Sequence, residues 1–94
     1  MTLREFQTQI ESIYFDKDQR RGMEGTFLWF IEEVGELARA VQRGDKQSRR
    51  EEFADVAAWL FSLASICGID MEAAVGKYAD GCPKCHLTPC RCEQ

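Results

Sequence analysis

Histidine, long apolar runs and surplus positive charge are all scarce in this 94-residue chain. Its one histidine is His86, so it lacks the Glu-x-x-His motifs that usually build di-iron and di-manganese carboxylate bundles. No apolar run approaches the roughly 20 residues of a membrane-spanning helix. The opening residues, MTLREFQTQI, place charges where a secretory signal needs an apolar core. A cytoplasmic location is therefore expected. The formal net charge of −4 offers no general attraction to DNA, RNA or anionic lipid, so neither nucleic acid nor membrane is expected as a partner. The chain is short enough to be one domain with modest burial, which makes a homo-oligomer a natural source of further core.

What the chain does have is acid at regular spacing. Between Glu32 and Asp55 stand two pairs, Glu33 with Glu36 and Glu52 with Asp55, each three residues apart. That spacing puts both members on one helix face. Gly44 suits a helix C-terminus, and Ser48 with Glu51 reads as a capping box opening the next helix near Arg49. The expected unit is a helical hairpin in which Glu36 and Asp55 lie level, with Glu33 and Glu52 a turn to either side. Four converging carboxylates repel unless one takes a proton or all share a cation. A hard divalent ion such as Mg²⁺, which prefers oxygen ligands and is often shared with substrate phosphates, resolves the conflict.

Around this hairpin the reading is all-α. Thr2 and Glu5 form a capping box ahead of Leu3, Phe6, Ile10, Ile13 and Tyr14 at helical spacing, predicting a helix to about Lys17. The polar stretch 16–25 reads as a connection, made locally basic by Lys17, Arg20 and Arg21. It is a candidate phosphate-facing loop or simply solvated charge. A second helix, 26–43, has Phe30, Val34, Leu37 and Val41 as its expected buried stripe, and its acids then fall on the opposite face. A solvent-exposed acidic face is the plain alternative. Trp29 shares that face, however, and the third helix runs from Glu52 and Asp55 into an uncharged segment, 56–69, that looks buried nearly all round. Carboxylates at the start of a buried stripe are costly unless paired or metal-bound. Cys67 reads as an inert core thiol, Gly68 as a helix end, and Asp70 as the cap of a short helix from Met71 to about Tyr78.

Residues 81–94, GCPKCHLTPCRCEQ, form a separate tail. Cys82, Cys85, Cys90 and Cys92 suit a compact tetrahedral Zn²⁺ site with His86 as a substitute ligand, the role being structural because four thiolates leave no open position. A redox-labile dithiol pair and two disulfides are the competing readings.

The run Glu32-Glu33-x-x-Glu36, fifteen intervening residues, and Glu52-x-x-Asp55 resembles the signature of the MazG-like, all-α nucleoside triphosphate pyrophosphohydrolases. The resemblance covers roughly Leu3 to Tyr78, within a catalytic domain drawn at 1–80. It implies Mg²⁺-dependent hydrolysis of nucleoside triphosphates to monophosphate and pyrophosphate, with Mn²⁺ as a substitute ion. By similarity, Glu33, Glu36, Glu52 and Asp55 would hold the metal, and Glu32 would orient or deprotonate the attacking water. Lys77 and Tyr78 would contact phosphates, and Trp29 or Phe27 would stack on the base. A homodimer or homotetramer would assemble a four-helix bundle around each site. The tail departs from the family's usual basic C-terminal segment. Two other readings stay open: a carboxylate-bridged di-iron or di-manganese protein, and a non-enzymatic helical adaptor with a zinc-bound tail.

Overall fold

The computed structural model describes residues 1–93 and is all-α; Gln94, the last residue of the expected tail, lies outside the described residues. Helix α1 spans Leu3–Arg43, α2 Lys46–Ile66 and α3 Met71–Val75, and a 3-10 turn follows at Gly76–Tyr78. No strand occurs among the described residues, and none of these helices is by itself long and apolar enough to cross a membrane.

The expected connection at 16–25 is replaced by a break at a single residue. Gly22 takes φ 75° and ψ −179° within α1, a conformation essentially restricted to glycine. One residue absorbs the whole change of direction, so helical geometry resumes on both sides. Beside the break Arg21 bonds Asp18 at 2.5 Å and reaches Thr26 Oγ1 at 3.3 Å. Both Asp18 and Thr26 are buried. The two arms of α1, before and after Gly22, are thus latched by a paired buried acid.

The amino end of α1 is capped as its sequence predicts: Glu5 N donates to Thr2 Oγ1 at 3.0 Å, and Thr2 N donates to Glu5 Oε1 at 2.7 Å. The hairpin turn differs from expectation. Only Gly44 and Asp45 separate α1 from α2, and the cap of α2 is Asp45, whose Oδ1 accepts from Ser48 N at 2.8 Å. Gly44 is extended rather than left-handed. It is needed for space, since a Cβ there would sit 2.7 Å from the Ala40 carbonyl oxygen.

The first arm packs back across the far end of α2. Phe6 meets Phe61 edge to face with ring centroids 5.0 Å apart. Buried Gln7 uses its whole amide: Nε2 donates to Ser65 Oγ and Ile69 O, and Oε1 accepts from Met71 N. Arg4 pairs with Asp70 and Glu72 at the surface. Among the described residues the buried apolar set is small: Ile10, Ala40, Phe61 and Ala64.

Burial on the second arm of α1 follows only half of the expected stripe. Thr26 and Ala40 are buried, and Phe30, Glu33, Glu36 and Leu37 are half-buried toward α2. Val34 and Val41, expected inside, are exposed in line with Phe27, Ile31 and Ala38. Cys67 is exposed too, so it is not a core thiol within one chain.

Candidate metal centre and adjoining cavity

Antiparallel packing through a two-residue turn puts Glu33 opposite roughly Val56 and Glu36 opposite roughly Phe53. That is about 3 Å away from the register expected for a longer linker. The shift decides which acids meet. One carboxylate oxygen each from Glu33, Glu52 and Asp55 lie within 4.8 Å of one another. Glu36 is not in this trio. It bonds Arg39 one turn along its own helix and borders an adjacent groove with Glu52. Glu32 is exposed and also outside the trio.

The trio is electrostatically unsatisfied. Glu52 Oε2 is buried with no hydrogen-bond partner. Burial, a hydrogen bond with Glu52, and the charges of Glu52, Asp55 and Glu36 raise the pKa of Glu33 above the ordinary carboxylate value. An orphaned buried acceptor costs about 1–3 kcal/mol, more when charged, and no basic side chain bonds any of the three. A divalent cation would satisfy Glu52 Oε2 and quench the repulsion together. An all-oxygen donor set suits Mg²⁺ or Mn²⁺ rather than a soft ion, so the residues fit such a group.

Asp55 also borders a cavity of about 320 Å³. Lys17 and Arg21 from the first arm also line it, with Tyr14, Trp29, Ala58, Trp59 and Ser62. The two indoles stack with centroids 5.9 Å apart and planes 12° from parallel, and the Arg21 guanidinium lies 4.6 Å from the Trp59 ring centroid. Acid, base and aromatic surface therefore converge on one concave space, as a phosphorylated aromatic ligand would require.

The family model described as MazG nucleotide pyrophosphohydrolase domain matches residues 21–86, more than half the chain. The chain belongs to the MazG nucleotide pyrophosphohydrolase family. No curated protein matches it. The MazG match begins at Arg21, so Tyr14 and Lys17 of the cavity wall lie outside it.

Several expected site residues stand elsewhere. Lys77 and Tyr78 pack on each other, the ammonium 5.2 Å from the ring centroid, and neither borders the cavity. Phe27 is 48% exposed on the outer side of α1, away from the lining. Arg20 is exposed and likewise outside it. Tyr14 was read only as a helix-face residue. Its spacing from Lys17 and Arg21, three and then four, becomes a signal once the helix is known to continue through the expected loop.

In the tail all four cysteines are free, and their sulfurs lie within 4.8 Å of one another. Backbone N–H groups of Arg91 and Leu87 lower the Cys85 thiol to about 6. Those of Cys85 and Lys84 lower Cys82, and hydrogen bonds with the other three thiols push Cys92 up to about 11. His86 is not part of the cluster.

Proposed function

We propose that this chain is a nucleoside triphosphate pyrophosphohydrolase in which Mg²⁺ is held by Glu33, Glu52 and Asp55. The observation that carries the reading is the buried, partnerless Glu52 Oε2 inside a three-carboxylate cluster that opens beside a cation-lined aromatic cavity. Glu36 is the fourth oxygen donor we assign. Its bond to Arg39 is solvent-exposed, worth ~0–1 kcal/mol, and is readily exchanged for a cation.

Held there, such an ion would supply charge neutralisation for the phosphates and a lowered pKa for the attacking water. Release of pyrophosphate breaks the bridge between the α- and β-phosphorus atoms, and we assign the attack to the α-phosphorus. Lys17 and Arg21, which share the cavity wall with Asp55, bind the phosphate chain, and the Trp29–Trp59 stack receives the base. Glu32, exposed next to Glu33, is assigned to orienting the attacking water. The biological role is removal of non-canonical or surplus nucleotides.

The catalytic unit is a homodimer or larger homo-oligomer. Phe27, Ile31, Val34, Ala38 and Val41 repeat at alternating spacings of four and three and are all exposed, the pattern of a helix-packing seam without its partner. A screen of canonical and modified nucleoside triphosphates, following pyrophosphate and phosphate separately, tests the activity. Glu33→Gln and Asp55→Asn should each abolish Mg²⁺-dependent pyrophosphate release; full activity in both variants refutes the assignment.

A further inference from the structure

Residues 81–93 have almost nothing to fold around. Apart from Gly81, Cys82, Cys85 and Cys92, which are half-buried, every one of them is exposed, and Leu87 is 49% exposed. No helix or strand runs through them. The chain nevertheless closes on itself: His86 N donates to Cys82 O at 2.7 Å, and Cys82 N donates to Leu87 O at 3.1 Å. The sulfurs of Cys82 and Cys85 from this turn and of Cys90 and Cys92 beyond it lie within 4.8 Å of one another. A segment of this size with no apolar core is ordinarily held by disulfides or metal.

The sulfur positions decide between those two. Cys82 and Cys92 are 3.8 Å apart and Cys85 and Cys90 3.9 Å apart, far beyond a bonded S–S pair at ~2.05 Å. A tetrahedron with Zn–S bonds of ~2.3 Å has sulfur–sulfur edges of about 3.8 Å. Amide donors also point at the sulfurs, Arg91 N at Cys85 Sγ (3.5 Å) and Cys92 N at Cys90 Sγ (3.3 Å). Such donors offset the surplus negative charge of four thiolates around one divalent ion. We propose that Cys82, Cys85, Cys90 and Cys92 hold one structural Zn²⁺, and that this ion folds the segment after Asp80. The site is separate from the acidic trio and takes no part in hydrolysis; its four positions are filled by protein.

The test uses the full chain purified under reducing conditions. Metal analysis should give about one zinc per chain. Exchange with Co²⁺ should produce a thiolate-to-cobalt charge-transfer band and the intense visible bands of a tetrahedral centre. Cys85→Ser with Cys90→Ser should remove the zinc, whereas Cys67→Ser and His86→Ala should each retain it. Chelation should collapse the amide resonances of the segment and leave the helical circular dichroism in place. The proposal is overturned by iron in place of zinc, by two disulfides in the reduced-purified chain, by absence of the cobalt–thiolate band, or by zinc that survives the double substitution. The cobalt spectrum of the unmutated chain decides the matter even if the serine variants fail to fold.

Discussion

Replacing Glu52 with Gln should make the metal-free protein more stable and the metal-loaded protein less so. The substitution keeps the shape of the side chain, removes one of three clustered charges, and supplies an amide donor toward Glu33. Two unit charges ~4.8 Å apart repel by roughly 3–4 kcal/mol at an effective dielectric near 20. Partial exposure of Glu33 and Asp55, and the raised pKa of Glu33, reduce the recoverable part to about 1 kcal/mol. For a chain of this size that is a rise of about 4–8 °C in Tm in the presence of EDTA. With free Mg²⁺ at about 100 times its Kd the unmutated protein gains about 2.7 kcal/mol, and the variant gains much less. The order of the two melting temperatures should therefore invert when EDTA is exchanged for Mg²⁺. Differential scanning calorimetry at equal protein concentration reads the inversion, and pyrophosphate release should fall at least ~100-fold alongside it. If the variant melts below the parent in EDTA, or if Mg²⁺ raises both by the same amount, the trio is not a strained cation site.

Lys17→Ala should lower kcat/KM by roughly 10-fold or more, the loss of one charge-assisted phosphate contact, with unchanged circular dichroism. Gly22→Ala forces a side chain into φ 75° and should cost about 1–3 kcal/mol, measurable as a shift in denaturation midpoint. Glu5, Asp45 and Asp70 have pKa values lowered by hydrogen bonds to Thr2, Ser48 and Arg4 respectively. Their stabilisation is present above the unfolded carboxylate range and lost as pH falls through the folded values, so the urea midpoint should drop between about pH 5 and pH 3. That drop should shrink in Asp70→Asn. If the seam holds two copies together as proposed, Ile31→Glu should leave a monomer by light scattering, with the helical signal kept.

The sequence made the hairpin, the caps at Thr2 and Asp70, the acidic pairs and the cysteine cluster legible because each depends on neighbours a few residues apart. The break at Gly22 looks like a loop in sequence because polar residues and glycines mark connections and exposed helices alike; only the backbone angles separate the two. The length of the α1–α2 turn is ambiguous in sequence because Asp45 and Ser48 are both good caps. That choice of cap slid the register by about half a turn, enough to trade Glu36 for Glu33 as the carboxylate facing Asp55.

The half-exposed stripe on α1 has a different cause. Its second arm carries two apolar lines: Phe30, Leu37 and Ala40 alongside the acids, and Phe27, Ile31, Val34, Ala38 and Val41 without them. The stripe expected from periodicity, Phe30, Val34, Leu37 and Val41, draws on both lines and leaves Glu33 in water, where it could not be strained. The structure keeps Phe30 and Leu37, turns the acids beside them toward α2 and leaves the charge-free line uncovered. Both halves of that choice are unfavourable for a lone, metal-free chain, and on the proposed reading they are relieved separately, one by a cation between the helices and the other by a second copy against the outer seam. Removing Mg²⁺ should therefore lower stability without dissociating the oligomer, whereas a charge in the seam should dissociate it without first emptying the metal site.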